Sequence, residues 1–281
     1  MNIRLLFCSV VFFSLSASVS AAVDQQLLHD LDLRRALFSD EYSTIKVAEQ
    51  DMVIIIQENT TAISRGVAML ITDSGASLSS QQGLAPLVKQ LRNLGWVTML
   101  VPSPTSDLFL PEENVEAEQL ENPPTSSIKS SVSQFNQQIF DQHLERLSLI
   151  MQAALEQAKA YPGFVLVIAQ GTSAATLTQL YAENKINAPD ALVVISPYWP
   201  DRKFNNQLAN FLANTPMPVL DIYSQWDNNW SLASTKMRKT AAIRALKLQY
   251  RQREIIGVGL IQQPASYVSK EIYGWLSHMG W

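Results

Sequence analysis

The stretch VLVIAQGTSAATL, residues 165–177, decides how this chain is read. Val165, Leu166, Val167 and Ile168 are apolar and favour a strand. Ala169, Gln170, Gly171, Thr172 and Ser173 follow, and a helix-compatible run comes after them. A strand that turns sharply into a helix needs one residue at positive φ, and glycine adopts that conformation most easily. The register that fits the strand puts Gly171 there, with small residues, Ala169 and Ser173, two positions to either side.

The same alternation of strands and helices continues outward. MVIIIQE (52–58), RGVAMLITDSG (65–75), WVTMLVP (96–102), ALVVISP (191–197) and PVLDIYS (218–224) read as strands, and LKLQYRQR (246–253) as a half-exposed edge strand. Helical spacing marks 84–94, about 134–160, the stretch after the quoted turn to about 184, 205–213, 231–245 and 266–278. The pattern predicts an α/β fold with a mostly parallel sheet and helices on both faces. Any site belongs at the C-terminal edge of the strands, where Gly-, Asp- and Ser-bearing turns collect.

Residues 1–22 are not fold material. Arg4, an apolar run from Leu5 to Leu15 and small residues up to Ala21 and Ala22 read as a signal peptide, too short in its apolar run for a membrane span. Cleavage removes Cys8, the chain's one cysteine, and with it any disulfide or thiol chemistry. It also removes Arg4, leaving 20 basic residues against 25 acidic, a net charge of −5. A mildly acidic chain without a basic run gives no support for nucleic-acid binding. The expectation is an exported protein, periplasmic if the resemblance below holds, with no membrane span after cleavage. Residues 23–50 read as an N-terminal arm and 51–281 as one domain. That domain is interrupted at 103–132 by an acidic insert rich in Ser, Pro and Glu, which reads as flexible.

Three segments resemble the α/β-hydrolase fold: RGVAMLITDSG the loop that supplies half an oxyanion hole, VLVIAQGTSAA the nucleophile elbow, and PVLDIYSQWDNNW the strand and loop of the catalytic acid. With NLGWVTMLVP and a late YGWL, the chain resembles an uncharacterised proteobacterial family of exported α/β-hydrolase-like proteins, a domain of unknown function. The resemblance covers roughly residues 50–281 and implies a fold but no activity.

Within that frame the catalytic triad is not recognisable. Gly171 stands where the nucleophile belongs, and the loop expected to bear a histidine, 254–266, has none. Asp73 stands where the oxyanion loop commonly has histidine, and an anion there would oppose a developing oxyanion. Asp227 matches the acid position but has no histidine to orient. A rival frame reads GTSAA (171–175) as G-x-S-x-A, an unconventional serine hydrolase or esterase using Ser173 with Asp227 and His278. In the bland reading Ser173 is a helix N-cap, Asp227 a solvated or capping residue, and His29 and His143 surface or packing residues. The expectation is a non-catalytic protein of the cell envelope, a pseudoenzyme. Its cleft, formed by Asp73, Ser74, Gly75, Gly171, Thr172, Trp226 and Asp227, binds an unidentified small molecule or envelope protein. No metal-binding spacing is present, no cofactor is implied, and Gly257 and Gly259 lack the rest of a dinucleotide motif.

Overall fold

Apolar runs such as Val67–Ile71 and Leu192–Ile195 leave no polar face, so their strands must be covered on both sides. A computed structural model describes residues 25–80, 83–105, 137–256 and 265–281. Its strands are β1 (Ser43–Val47), β2 (Gln50–Gln57), β3 (Gly66–Ile71), β4 (Trp96–Val101), β5 (Phe164–Gln170), β6 (Ala191–Ile195), β7 (Val219–Ser224) and β8 (Tyr250–Ile255). They form one sheet in the order β1-β2-β4-β3-β5-β6-β7-β8. β2 runs antiparallel to both β1 and β4, and every other pairing is parallel.

The helices are α1 (Gln25–Ala36), α2 (Ala85–Asn93), α3 (Gln137–Ala158), α4 (Gly171–Ala182), α5 (Arg202–Asn214), α6 (Asn229–Arg244) and α7 (Ala265–His278). Strand alternation sorts the core into two layers. Val67, Met69 and Ile71 of β3 pack with Leu147 and Met151 of α3, Leu177 of α4 and Leu208 of α5. Ala68 and Leu70 face the other way, onto Leu87 and Leu91 of α2 and Ile272 and Trp275 of α7. The predicted class and layering are those observed.

Some boundaries differ. Ser43–Val47, inside the stretch read as an arm, adds an edge strand through a tight turn at Ala48, φ +53°. Residues 246–249 alternate like a strand but form a turn. Leu246 takes φ +53°, and the Lys247 N–H closes α6 by donating to the Ala242 carbonyl, so β8 begins only at Tyr250. The stretch read as a signal peptide, the part of the predicted insert from 106 onward and residues 257–264, with Gly257 and Gly259, lie outside the described residues. Among those residues no helix is long and apolar enough to cross a membrane.

Candidate functional site

β5 ends at Gln170 in extended conformation, and α4 begins at the next residue. The reversal falls on Gly171 at φ +60°. Because the helix starts there, Ser173 is not its N-cap, as the bland sequence reading had it; Gln170 takes that place. Ser173 is already inside the first turn and fully buried, its Oγ 2.6 Å from that of Ser103, just beyond β4.

Gly171 has no room for a side chain. A Cβ built on it would lie 2.2 Å from Asp73 Oδ2 and 2.4 Å from Oδ1. Asp73, in the loop after β3, thus fills the space over the elbow. Its Oδ1 accepts from the Thr172 N–H at 2.8 Å, the Thr172 hydroxyl at 2.7 Å and the Ser74 N–H at 2.9 Å. The Ser173 N–H and the Tyr198 hydroxyl also donate to this carboxyl. In a hydrolase elbow, the N–H after the nucleophile and an N–H from the β3 loop converge on the oxyanion. Here the N–H groups of Thr172 and Ser74 converge instead on a carboxylate of the chain itself. Burial raises the Asp73 pKa against these hydrogen bonds, which lower it. Burial, with the neighbouring Asp73 charge, also raises Tyr198.

The acid position is occupied in the same manner. Asp227, in the turn after β7, accepts from the Ser196 hydroxyl at 2.5 Å and from the Ser224 N–H at 2.9 Å. It is half-buried and does not cap a helix; Asn228 caps α6. Burial raises its pKa, opposed first by the Ser196 hydrogen bond. Ser196, the residue after β6, takes φ +49°, a conformation rare outside glycine and asparagine. It was missed from sequence; its signal is a small residue just after a strand and before Pro197.

His278 does not join this group. Trp281, three residues on, stacks on Phe164 at 4.3 Å, and Phe164 is the first residue of β5. Seven residues of strand separate that end from Gly171, about 20 Å at strand spacing. The structure therefore does not bring Ser173, Asp227 and His278 together: the serine is buried beneath the elbow and the exposed histidine lies at the far edge of the sheet.

Of the remaining predicted residues, Ser74 donates through Oγ to the Pro104 carbonyl at 2.8 Å. Gly75 is exposed at φ +72° with open space around it. Trp226, 68% exposed, stands beside Asp227, and Trp230, 39% exposed, lies in the first turn of α6. Beneath this loop Asp221 of β7 and Arg238 of α6 form a fully buried ion pair at 2.9 Å, completed by Tyr250 and Gln252.

Similar solved structures are esterases and hydrolases. Est1E from Butyrivibrio proteoclasticus aligns with TM-score 0.56 and 10% identity, over 85% of this chain and 98% of that one. Dienelactone hydrolase from Anabaena variabilis aligns with TM-score 0.56 and 16% identity over 84% and 96%. The esterase domain of a Rhodothermus marinus protein aligns with TM-score 0.53 and 10% identity over 83% and 96%. Identities this low establish the α/β-hydrolase-like fold and nothing of the chemistry. No curated protein matches the sequence. Residues 13–278 match a family described as "Protein of unknown function (DUF3530)", and the chain belongs to that family.

Proposed function

We propose that this protein is a non-catalytic α/β-hydrolase-like protein of the cell envelope, exported to the periplasm, that binds a small molecule or protein partner at the strand-end cleft. The observation that carries the reading is the position of Asp73 Oδ1, which takes both N–H groups that would otherwise stabilise an oxyanion. A carbonyl substrate would have to displace an anion held by four residues, and would then find glycine where the nucleophile belongs. The Ser196–Asp227 bond supports the same reading, because the acid's lone pairs meet a hydroxyl and a backbone N–H rather than an imidazole. Trp226 and Trp230 offer an exposed aromatic rim for contact with a partner. The N-terminal composition supports export.

The test is a fluorophosphonate probe on the folded protein without residues 1–22, mapped by mass spectrometry, beside Ser173→Ala. The expected result is no stoichiometric labelling of either. Full labelling of a serine in the parent protein, lost in the variant if that serine is Ser173, would overturn the reading.

A further inference from the structure

The turn that ends α6 holds an anomaly. The N–H groups of Leu246 and Lys247 donate to the carbonyls of Ile243 and Ala242, and Leu246 takes the left-handed position at φ +53°. Helices that close this way favour glycine there, because a side chain crowds the backbone. Leucine gains no packing in return: Leu246 is 78% exposed, and Leu248, two residues on, is 95% exposed. Lys247 between them folds back and donates to the Thr215 carbonyl, which pins the turn. Ile243, 63% exposed in the last turn of α6, continues the patch. β8 follows and runs parallel to β7, so the patch lies at the N-terminal edge of the strands, opposite the edge that holds Gly171.

The charges around the patch have one sign. Lys236, Lys239 and Arg244 are exposed on α6, and none of them joins an ion pair among the described residues. Lys239 stands four residues before Ile243, on the same helix face. Residues 229–249 contain no acidic residue, in a chain of net charge −4. A hollow of about 710 Å³ between α5 and α6 borders the patch. Asn206, Asn210 and Asn214 line one wall and Lys236 and Arg244 the other, again with no acidic residue in the lining.

We propose that this face docks on an anionic phospholipid bilayer. Leu246 and Leu248 enter the acyl boundary, and Lys236, Lys239 and Arg244 meet the headgroup phosphates. Aliphatic side chains that project from the surface among unpaired cations suit such a membrane, which takes the apolar tips out of water and neutralises the charge. A protein partner fits less well, since it is held by bulky side chains entering apolar pockets. Here the hollow offers asparagine and alanine, and the bulky side chains point outward from its end. Nucleic acid matches the charge but has no use for the leucines. Docked in this way, the chain turns its elbow toward the aqueous side. The face is separate from the elbow and does not depend on whether the elbow is inert.

The test is sedimentation of the folded protein without residues 1–22, which lacks the apolar run at 5–15, with vesicles of equimolar phosphatidylglycerol and phosphatidylcholine. The expected result is binding that falls at high salt and is absent on phosphatidylcholine alone. Leu246→Gly with Leu248→Ser should weaken binding by about tenfold or more. Glycine suits the left-handed position, so the urea midpoint of that variant should hold or rise, separating lost binding from lost folding. Lys236→Gln, Lys239→Gln and Arg244→Gln together should weaken binding about a hundredfold, about fivefold for each cation. Equal binding to phosphatidylcholine alone, no binding to either vesicle, or unchanged binding by either variant overturns the proposal. So does binding to soluble polyglutamate that matches the vesicles and ignores the leucine substitutions, which would assign the face to an acidic protein. None of these outcomes bears on fluorophosphonate labelling, so the two readings stand or fall separately.

Discussion

Thr172 donates both its backbone N–H and its hydroxyl to one oxygen of Asp73, at 2.8 and 2.7 Å, from a position 99 residues along the chain. The carboxylate sits at the N-terminus of α4, where the helix's free N–H groups favour negative charge. It therefore does for the resting elbow what a bound anion would do, and it ties the β3 loop to α4.

Asp73→Ala removes that internal anion and leaves the N–H groups of Thr172 and Ser74 without it. The expected loss of stability in urea is about 1–3 kcal/mol. Added acetate should recover part of it in the variant, because the vacated donors form a ready anion site, and should do nothing for the parent protein. Equal responses of the two proteins to acetate would show that the donors are not organised as an anion site.

Gly171→Ser puts a side chain onto the Asp73 carboxyl atoms, 2.2 to 2.4 Å from its Cβ, and into a left-handed backbone conformation. The backbone contribution alone is about 1–2 kcal/mol, and the clash adds to it. Combined with Asp73→Gly, the serine should be tolerated better than either separate effect predicts. Denaturant unfolding of the four proteins in a double-mutant cycle measures this coupling. Strict additivity would mean that Asp73 moves aside freely.

The elbow was legible because its signal is local: an apolar run, small flanks and a glycine at the one position that needs positive φ. What fills it was not. Electrostatics in the sequence reading set Asp73 against an oxyanion; the structure puts its oxygen in the oxyanion's place, a fact that depends on a loop distant in sequence. Ser196 gave even less warning, since a serine just after a strand is ordinary until its φ and its partner Asp227 are known. Alternation misled at Leu246 and Leu248: both are exposed on a turn, where period-two spacing carries no information about pairing.

The Asp221–Arg238 pair fixes α6 against β7, beneath the loop of Trp226 and Asp227. Arg238 also donates to the carbonyls of Pro197 and Ser231 and to Ser234 Oγ. Arg238→Met should cost about 3–5 kcal/mol, since it strands a fully buried carboxylate. Adding Asp221→Asn should return much of that loss, because the amide carries no charge to leave uncompensated. Calorimetric melts of the two variants decide this; no recovery in the double variant would place the cost in lost packing of the arginine stem.

His143, being buried, makes the fold less stable in acid. Its pKa falls from 6.5 to about 4 on burial, so below pH 6.5 the unfolded chain binds a proton that the folded chain refuses. Its contribution is fully present above pH 6.5 and is lost as pH falls through about 4, in all roughly 3 kcal/mol. Asp73 and Asp227 act in the opposite sense. Their pKa values are raised, so the folded chain holds their protons more tightly and is favoured as pH falls from those raised values toward 3.8. The histidine begins to lose stability at 6.5, whereas the carboxyls begin to compensate only once they themselves take up protons. His143→Phe should flatten the decline and leave the carboxyl contribution exposed as a gain on acidification. Urea midpoints from pH 4 to pH 8 test this, and an unchanged acid limb in the variant would mean that the imidazole is not the group that titrates.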